Sequence, residues 1–314
     1  MLTQILNLIN FYIRFLISFS NIGYRCRRFF WSNQHFDFSA QTWLVTGASG
    51  GIGKATVVGA LRSGAKVIVV ARSDQKLRAL KRGLPKRWAD NIELRVADLS
   101  LQTQVHLLIE QLAEQSVKIN VLVNNVGVLL DELTITTEGV ETAFATNVLN
   151  HFQLTQALLE KQMLAEDASV VNVTSGGMYH VPLAIESLDI QSDAYNGVSA
   201  YAFHKRAQVV LTQYWRKHSA GANRQFYVMH PGWVDTQGVK TSLPRFRKLL
   251  KSILRNSEGG ADTILWLAGA RPGQDQSDAV WFDRKPRKAH YFRSSMQGSS
   301  GAEQLVDYLR SRLI

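Results

Sequence analysis

After residue 40 the chain alternates short apolar runs with longer segments of helical spacing, and this alternation constrains the fold more than any other feature. The apolar runs predict buried strands at Thr42–Thr46, Lys66–Ala71, Ile92–Ala97, Ile119–Asn124, Ser169–Thr174 and Gln225–His230. The intervening segments, such as Leu101–Glu114 and Glu141–Leu164, have helical periodicity, and a last helix is expected at about Ala302–Leu313. This order predicts βαβ units and a parallel sheet with helices on both faces. No repeat, low-complexity tract or linker divides residues 38–314, so we expect a single α/β domain there.

The first 37 residues form a leader of different character. Apolar residues precede the basic cluster Arg25–Arg28, which is the reverse of a signal peptide, and no small-residue cleavage site follows. A spanning helix is also disfavoured, because Arg14 interrupts the apolar run and a central Arg costs about 2.5 kcal/mol or more in lipid. Two alternatives remain open: an amphipathic helix within residues 1–31 lies on a membrane surface, or it packs against its own domain.

Charge and cysteine content narrow the class of protein. The chain has 36 Lys and Arg against 25 Asp and Glu, a formal net charge of +11. Most of these basic residues are scattered, which is typical of a basic soluble surface, and the alternative is attraction to an anion such as a phosphorylated cofactor, a membrane or nucleic acid. No stripe of basic residues with interleaved aromatic residues is present, so we expect no nucleic-acid partner. The single Cys26 excludes an internal disulfide, which fits a reducing, cytoplasmic location.

The first strand is followed by a glycine-rich turn, TGASGGIG. Glycine lets phosphates approach the backbone, and the helix that follows offers free N–H groups and a positive dipole end to a pyrophosphate. A turn without a ligand is the alternative, but the position between a strand and a helix favours a nucleotide. The candidate cofactor-binding residues of this turn are Thr46, Gly47, Ser49, Gly51, Ile52 and Gly53.

Polar residues follow three other predicted strands. Asp98 and Leu99 follow the third strand, Asn124–Gly127 ends the fourth, and Ser175 follows the fifth. Taken alone, each of these polar residues could simply belong to a turn, because Asp, Asn, Gly and Ser are common in turns. The carboxyl ends of parallel strands share one edge of a sheet, where ligands bind, so together these residues predict one cleft. Asp98, Leu99, Asn125 and Gly127 are candidates for cofactor binding, and no metal site is expected.

Tyr201 and Lys205 lie four residues apart in a predicted helix, so they share a face. A nearby cation lowers the pKa of a phenol below its usual value of about 10. A Tyr with a pKa nearer neutrality can act as acid in one direction and as base in the other. An incidental pair is the alternative, since this spacing is common. The accompanying glycine turn, Asn-Asn-x-Gly element and strand-end Ser favour a proton-transfer pair.

Taken together, these motifs resemble those of the short-chain dehydrogenase/reductase family, from about Phe38 to His290. The match also includes a Pro-Gly element, His230–Thr236. The resemblance implies a Rossmann-type doubly wound parallel sheet of strand order 3-2-1-4-5-6-7. It also implies an NAD(P)-dependent oxidoreductase that transfers a hydride between nicotinamide and a carbonyl or secondary alcohol. Folds of this type often associate through helix faces, so a homo-oligomer is compatible with it.

The resemblance further implies a role for each site residue. Asn147 holds a water, Lys205 contacts that water and the nicotinamide ribose, and Tyr201 exchanges the proton. Ser175 fixes the substrate oxygen. The residues implied to hold the nicotinamide end are Pro231, Gly232, Val234 and Thr236. The alternative is a nucleotide-binding scaffold without turnover, and the complete Asn-Ser-Tyr-Lys set argues against it.

Departures from the family pattern raise further expectations. Val126 replaces the usual Ala, and His204 replaces the usual Ser before the lysine, where we expect it to face its helix surroundings and not the relay. Ser175 and Tyr201 are 26 residues apart, about twice the spacing of many relatives. The additional residues, 176–199, predict a substrate-side lid, and their apolar and aromatic content favours a lipophilic substrate.

The second strand bears on the choice of cofactor. NAD-binding sites of this fold place an acid at its end to bind the ribose 2′-hydroxyl. Here Ala71 ends the strand, and Arg72 follows, whose guanidinium can grip a 2′-phosphate with help from Ser73. We therefore expect NADP(H) to be favoured over NAD(H). Gly50 stands where many NADP-preferring relatives have a second basic residue, and a solvated Arg72 that starts the next helix is the alternative.

Overall fold

The computed structural model describes residues 14–314 except 220–222, 274–278, 293, 294, 297 and 299. One sheet of eight strands has the order β3-β2-β1-β4-β5-β6-β7-β8. The strands are β1 (Thr42–Thr46), β2 (Lys66–Ala71), β3 (Ile92–Val96), β4 (Ile119–Asn124), β5 (Leu164–Val173), β6 (Gln225–Met229), β7 (Ala279–Phe282) and β8 (Lys285–Lys288). Strands β1 to β7 pair in parallel, and β8 returns antiparallel along β7. The expected order 3-2-1-4-5-6-7 is confirmed, and β8 adds an edge strand that the patterns did not predict.

Helices connect these strands and cover the sheet. They are α1 (Asn21–Phe29), α2 (Gly51–Arg62), α3 (Asp74–Arg82), α4 (Gln102–Glu114), α5 (Thr142–Phe144), α6 (Asn150–Glu160), α7 (Gly197–His218), α8 (Gln237–Ser242), α9 (Pro244–Leu250), α10 (Ser257–Ala270) and α11 (Ala302–Ser311). The final helix thus ends two residues before the expected Leu313, and part of the loop before it lies outside the described residues.

The segment Glu141–Leu164, expected to be helical throughout, is divided. Glu141 caps α5, since its carboxylate accepts hydrogen bonds from the backbone N–H groups of Ala143 and Phe144 at 2.7 and 2.6 Å. A π-helical turn, Ala145–Leu149, then joins α5 to α6, and β5 begins at Leu164. Turns of this kind insert one residue into a helix and are frequent at functional sites.

The sheet is buried on both faces. Along β1, Trp43 and Val45 belong to one apolar core and Leu44 to the other, and all three side chains are fully buried. Burying a side chain of Leu or Val size contributes about 1.5–3 kcal/mol. Strands covered by helices on both sides need apolar residues on both sides, which explains the nearly continuous apolar runs in the sequence.

Residues 14–31, called the N-terminal segment below, dock on this domain. Phe15 and Phe19 are buried in a third apolar cluster with Tyr179 and Phe282. The Phe15 and Phe19 rings stack with centroids 4.5 Å apart. The described part of the leader therefore packs against its own domain, which was one of the two alternatives. Residues 1–13 lie outside the described residues.

Buried charges fix the same docking site. Arg255 donates from Nε to the Phe19 carbonyl at 2.9 Å. The Asp283 carboxylate binds both Arg255 and Arg27, each at 2.6 Å. These bonds join the N-terminal segment to residues more than 200 positions later in the chain.

The outer face of the N-terminal segment mixes apolar and basic side chains. Its exposed apolar residues are Leu16, Ile17, Ile22, Phe29 and Phe30. Arg14, Arg25 and Arg28 are exposed among them. Within the described ranges, no helix is both long enough and apolar enough to cross a membrane.

Candidate active site

The predicted site residues gather at the edge of the sheet where β1, β4, β5 and β6 end. The order of strands reverses between β1 and β4, because the chain runs from β1 to β3 on one side and from β4 onward on the other. Doubly wound sheets form their ligand crevice outside the carboxyl ends of the strands at such a reversal. The fold thus places the glycine turn beside the end of β4.

The glycine turn is locked to β4. Gly47 and Gly51 have φ values of +64° and +52°, in the left-handed region that favours glycine. A Cβ on Gly53 would lie 2.6 Å from the Gly47 oxygen and from the Asn125 amide nitrogen. Asn125 donates from its backbone N–H to Thr46 Oγ1 at 3.0 Å and from Nδ2 to the Thr46 carbonyl at 2.8 Å. The turn therefore has its shape before any ligand binds.

The amino terminus of α2 fits a phosphate. Gly50 is its N-cap, and no side chain caps the first turn. A Cβ on Gly50 would meet nothing within 4 Å, so the approach to these N–H groups is open. Ser49 precedes them on the same turn. Free N–H groups at the positive end of a helix dipole bind pyrophosphate readily.

Asp98 and Leu99 follow β3 as predicted, but the Asp98 carboxylate already has local partners. Its Oδ1 accepts from the backbone N–H and the hydroxyl of Ser100 at 3.0 and 2.8 Å. The Leu99 carbonyl accepts from Asn150 Nδ2 at 2.8 Å. Turn chemistry therefore accounts for the contacts that Asp98 makes in the structure, and its contact with a cofactor stays a prediction.

Arg72 is exposed directly after β2 and makes no hydrogen bond or ion pair with a described residue. The nearest acid in sequence, Asp74, pairs with Arg78 at 2.6 Å. Ser73 caps α3, since its hydroxyl accepts from the Lys76 N–H at 3.3 Å. Arg72 is thus exposed and unpaired among the described residues at the carboxyl end of β2, while the Ser73 oxygen already has one bond.

The loop after β6 reaches the glycine turn. A Cβ on Gly51 would lie 3.4 Å from the methyl carbon of Thr236. Val234 and Ile52 also face each other across Gly260, where a Cβ would lie 2.8 and 3.0 Å from their side chains. These contacts bring the predicted nicotinamide-end residues next to the predicted phosphate site.

The N-terminal segment braces this same loop. Pro231 is buried, and Gly232 has a φ of +77° with its N–H donating to His230 Nδ1 at 2.9 Å. The next residue, Trp233, donates its N–H to the Phe19 carbonyl at 2.9 Å. The docked segment therefore holds residues that are expected to contact the cofactor.

Ser175, Tyr201 and Lys205 meet at the end of β5. Burial raises the pKa of the Tyr201 phenol to about 12, and a hydrogen bond with Ser175 opposes that rise. Burial lowers the pKa of Lys205 to about 7, and its Nζ lies 5.4 Å from the centre of the Tyr201 ring. Lost hydration is thus the largest influence on the pKa of both groups. The lowering of the phenol pKa, expected from Lys205 together with a bound nicotinamide, stays a prediction.

Lys205 is held by neutral oxygens. Its Nζ donates to the Val173 carbonyl at 2.9 Å and to Gln208 Oε1 at 3.1 Å. A Cβ on Gly127 would lie 3.3 Å from Nζ, so the predicted glycine leaves room for the lysine. Gln208 was not among the predicted residues. It follows Tyr201 by seven positions and Lys205 by three, and this same-face spacing is the signal that could have identified it.

Asn147 lies in the π-helical turn and is fixed from three sides. Its Oδ1 accepts from the Val128 N–H, and its Nδ2 donates to the Val128 carbonyl, both at 2.8 Å. Its own carbonyl accepts from Gln208 Nε2 at 2.7 Å. The structure therefore brings Asn147 to the site, with Gln208 between it and Lys205.

His204 does not simply face its helix surroundings, as was expected. It is fully buried, and its Nδ1 lies 3.3 Å from Asn147 Nδ2 while its Nε2 bonds to the Leu188 carbonyl at 2.8 Å. Burial lowers its pKa to about 4, so the ring is neutral near pH 7. Its partner Leu188 belongs to residues 176–199, the additional residues before Tyr201. His204 thus orients Asn147 as a neutral group.

The residues at 176–199 are largely packed against the domain. Their buried apolar side chains include Met178, Tyr179, Leu183 and Leu188. Arg206 of α7 holds the segment, since its Nε donates to the Val181 carbonyl at 3.1 Å. The apolar content that suggested a lipophilic lid therefore serves the core to a large extent.

Comparisons with known proteins agree with this geometry. The sequence model of the family described as short chain dehydrogenase matches residues 41–245. Dehydrogenase/reductase SDR family member 12 from Bos taurus is 37% identical over 273 residues, which are 86% of this chain and 85% of the relative. Retinol dehydrogenase 12 from Mus musculus is 30% identical over 246 residues, 77% of each chain. The crystal structure of an uncharacterized protein from Mycobacterium paratuberculosis has a TM-score of 0.70 at 23% identity, covering 90% of this chain and 97% of that one.

Proposed function

Since the chain belongs to the short-chain dehydrogenase/reductase family of NAD(P)-dependent oxidoreductases, we propose that it transfers a hydride between NADP(H) and a carbonyl or secondary alcohol. The observation that carries this proposal is the meeting of Ser175, Tyr201 and Lys205 at the edge of the sheet that also carries the glycine turn, with Lys205 next to Gly127. The alternative, a nucleotide-binding scaffold, has no need for a phenol bonded to a hydroxyl beside a buried lysine.

The chain's residues fit the proposed cofactor. The uncapped start of α2 would hold the pyrophosphate, Arg72 the 2′-phosphate, and the loop from Pro231 to Thr236 the nicotinamide end. Lys205 would contact the nicotinamide ribose with the Nζ proton that is not bound to Val173 or Gln208. When bound, the cofactor supplies or accepts the hydride.

The protonation state of Tyr201 at neutral pH suits it to act as the acid in the reduction of a carbonyl. With a pKa of about 12, Tyr201 carries its proton at neutral pH. An alkoxide that forms from a carbonyl is more basic than a phenolate, so Tyr201 can donate its proton to that oxygen while Ser175 donates a hydrogen bond. Oxidation requires the phenolate, which burial disfavours here.

Turnover tests the proposal. Purified protein is offered aldehydes, ketones, steroids and retinoids with NADPH, and the nicotinamide absorbance is followed. Retinoids are included because one relative is named a retinol dehydrogenase. We propose a lipophilic substrate, and silence across the whole panel contradicts the oxidoreductase proposal.

Tyr201→Phe separates the enzyme from the scaffold. Loss of a general acid costs about 10²- to 10⁴-fold in turnover, while cofactor binding should be kept. Tyr195→Phe is a matched control, since its hydroxyl lies 3.2 Å from the Leu130 carbonyl and outside the reacting group. Near wild-type turnover by Tyr201→Phe would contradict the proton-transfer role.

Arg72 provides the test of cofactor preference. A charge-assisted contact contributes about 1.5–3 kcal/mol, so we expect NADPH to bind about tenfold to a hundredfold more tightly than NADH. Arg72→Ala should remove this difference by weakening NADPH alone, as measured by fluorescence titration. The control is Arg78→Ala, whose guanidinium is engaged by Asp74. Equal binding of both cofactors by the wild-type protein would refute the preference and leave the oxidoreductase assignment intact.

Location is proposed from the leader. The single Cys26 is exposed, which supports a reducing compartment, and the mixed apolar and basic outer face of the N-terminal segment supports peripheral contact with an anionic membrane. Membrane contact through residues 1–31 of a cytoplasmic protein is therefore part of the proposal.

A further inference from the structure

Gln208 occupies the space between the catalytic lysine and the π-helical turn. It lies on α7 on the same face as Tyr201 and Lys205, and only 2% of its surface is exposed. Its Oε1 accepts from Lys205 Nζ at 3.1 Å, and its Nε2 donates to the Asn147 carbonyl at 2.7 Å. Nε2 also lies 3.1 Å from His151 Nδ1. The Gln208 amide thus connects Lys205, the Asn147 carbonyl and His151.

The chemistry of the neighbours fixes the orientation of this amide. An ammonium can only donate, so the group that faces Lys205 must be the amide oxygen. A backbone carbonyl can only accept, so the group that faces Asn147 must be the NH₂. His151 then accepts at Nδ1 as a neutral ring, since burial, aided by the charge of Lys205, lowers its pKa to about 3. A flipped amide would oppose acceptor to acceptor and donor to donor.

We infer that Gln208 is a positioning residue that takes the place of the water expected between Lys205 and Asn147. This inference rests on the proposed proton transfer at Tyr201. The amide holds the lysine at a fixed point beside the phenol. A water at this place could accept one proton and release another, whereas the amide offers Lys205 an acceptor without a path toward Asn147.

The surroundings of Lys205 show why this acceptor matters. Among the described residues its bonds go to two neutral oxygens, those of Val173 and Gln208, and none goes to a carboxylate. The titratable groups around it are Tyr201 and His204 on α7 and His151 on α6, and burial keeps both rings neutral at pH 7. Loss of the Gln208 oxygen would therefore disfavour the ammonium and lower the pKa of Lys205 further.

Two substitutions distinguish positioning from packing. Gln208→Leu fills the same space but leaves Lys205 and the Asn147 carbonyl without their partner. Gln208→Ala opens a polar cavity between two partners, where a water can restore the bridge. We expect Gln208→Leu to lower turnover at pH 7 at least tenfold and Gln208→Ala to stay closer to wild type. A role in packing alone predicts the reverse order, because Ala leaves a cavity and Leu does not.

The pH dependence supplies a second readout. The ammonium of Lys205 is lost as pH rises, so the alkaline limb of kcat/KM should move to lower pH in Gln208→Leu. Thr212→Val is the control, since Thr212 is buried on α7 and bonds to Asn172 and to the backbone carbonyl of Gln208, but neither to Lys205 nor to the Gln208 side-chain amide. Thr212→Val should lower the free energy of unfolding but leave the alkaline limb of kcat/KM at the wild-type pH. A crystal structure of Gln208→Ala should show a water between Lys205 and Asn147.

The measurements also separate this inference from the proposed function. The free energy of unfolding of the cofactor-free protein depends on the Lys205 pKa, and its measurement needs no turnover. This free energy begins to rise with pH at the point where the lysine of the folded chain loses its proton. This onset should move to lower pH in Gln208→Leu. If the wild-type protein is inactive but the onset moves, the proposed function fails and the positioning role stands. An unmoved onset, or a Gln208→Leu variant that outperforms Gln208→Ala, overturns the inference.

Discussion

Lys205 and Arg255 are both buried cations, with 3% and 1% of their surfaces exposed, yet the two regions hold them differently. Arg255, where the N-terminal segment docks, binds the Asp283 carboxylate through two nitrogens at 2.6 and 3.0 Å. Lys205, on the face of α7 that lines the candidate active site, bonds to a carbonyl and to an amide. A buried arginine beside a carboxylate stays charged, whereas a buried lysine with neutral partners can lose its proton near neutrality, because the intrinsic pKa of lysine is lower. The docking site thus holds a cation whose charge is fixed, and the candidate active site holds one whose charge changes with pH.

The largest effect should follow from breaking the fixed pair. Asp283→Asn keeps the size of the side chain and suits the φ of +49° at this position, but it leaves Arg255 buried without a counter-charge. Removing one partner of a buried pair costs about 3–5 kcal/mol, so we expect that loss in the free energy of unfolding. Denaturant unfolding measures it.

An exposed pair gives the control. Asp74→Asn breaks the contact with Arg78, whose side chain is 67% exposed, and pairs of this kind contribute about 0–1 kcal/mol. Equal losses for the two variants would contradict the view that Arg255 depends on its carboxylate.

Substitution of Lys205, whose charge changes with pH, should alter the free energy of unfolding by less than the loss of the Arg255–Asp283 pair, and by an amount that depends on pH. The pKa of Lys205 is about 7 in the folded chain, below the usual lysine value of about 10.4. Between these values the unfolded chain holds a proton that the folded chain lacks, so stability rises with pH by up to about 1.4 kcal/mol per unit. Lys205→Met should remove this rise between pH 7 and 10.

Two comparisons make the measurement specific. Lys66→Met, at an exposed position at the start of β2, should keep the wild-type slope. Asp283→Asn should lower stability by a similar amount at every pH in this window, since its arginine does not titrate there. If stability rises with pH as steeply in Lys205→Met as in the wild type, Lys205 keeps its charge throughout this window, as Arg255 does.

The same two regions differ in how far the sequence predicts them. Tyr201, Lys205 and Ser175 were predictable, because helical spacing and the shared edge of parallel strands are local rules that bring them together. The bond between Arg255 and Phe19 was not, because it joins residues 236 positions apart and no spacing encodes it. Within the site, spacing also did not reveal that burial raises the Tyr201 pKa, since burial depends on the packing of the whole domain.

The π-helical turn is a second feature that local sequence patterns do not predict. The apolar periodicity of Glu141–Leu164 predicts one helix, and a single inserted residue barely disturbs that periodicity. The insertion nevertheless sets where the Asn147 carbonyl meets Gln208. Asn147 was expected at the site from the resemblance to the family, but the π-helical turn that aims its carbonyl at Gln208 was not. Gln208 follows the helical spacing and was nevertheless missed.

The smallest effect is expected at the outer face of the N-terminal segment, where Arg25 and Arg28 are exposed and form no ion pair with a described residue. Phe29 and Phe30 are 83% and 82% exposed beside Arg28, an arrangement that suits anionic headgroups. Deleting the segment is a poor test, because Phe15 and Phe19 are part of the core. The double substitution Phe29→Ser with Phe30→Ser should instead weaken flotation with anionic vesicles at low salt and leave the unfolding midpoint unchanged.

Leu107→Ser, at a residue of α4 that is 58% exposed, is the control for loss of an exposed apolar side chain. Flotation should also fall for the wild-type protein at high salt, because screening weakens attraction between exposed charges. If the double variant floats as well as the wild type, membrane contact through this face is refuted, and the segment's role is confined to the docking that Arg255 and Asp283 fix.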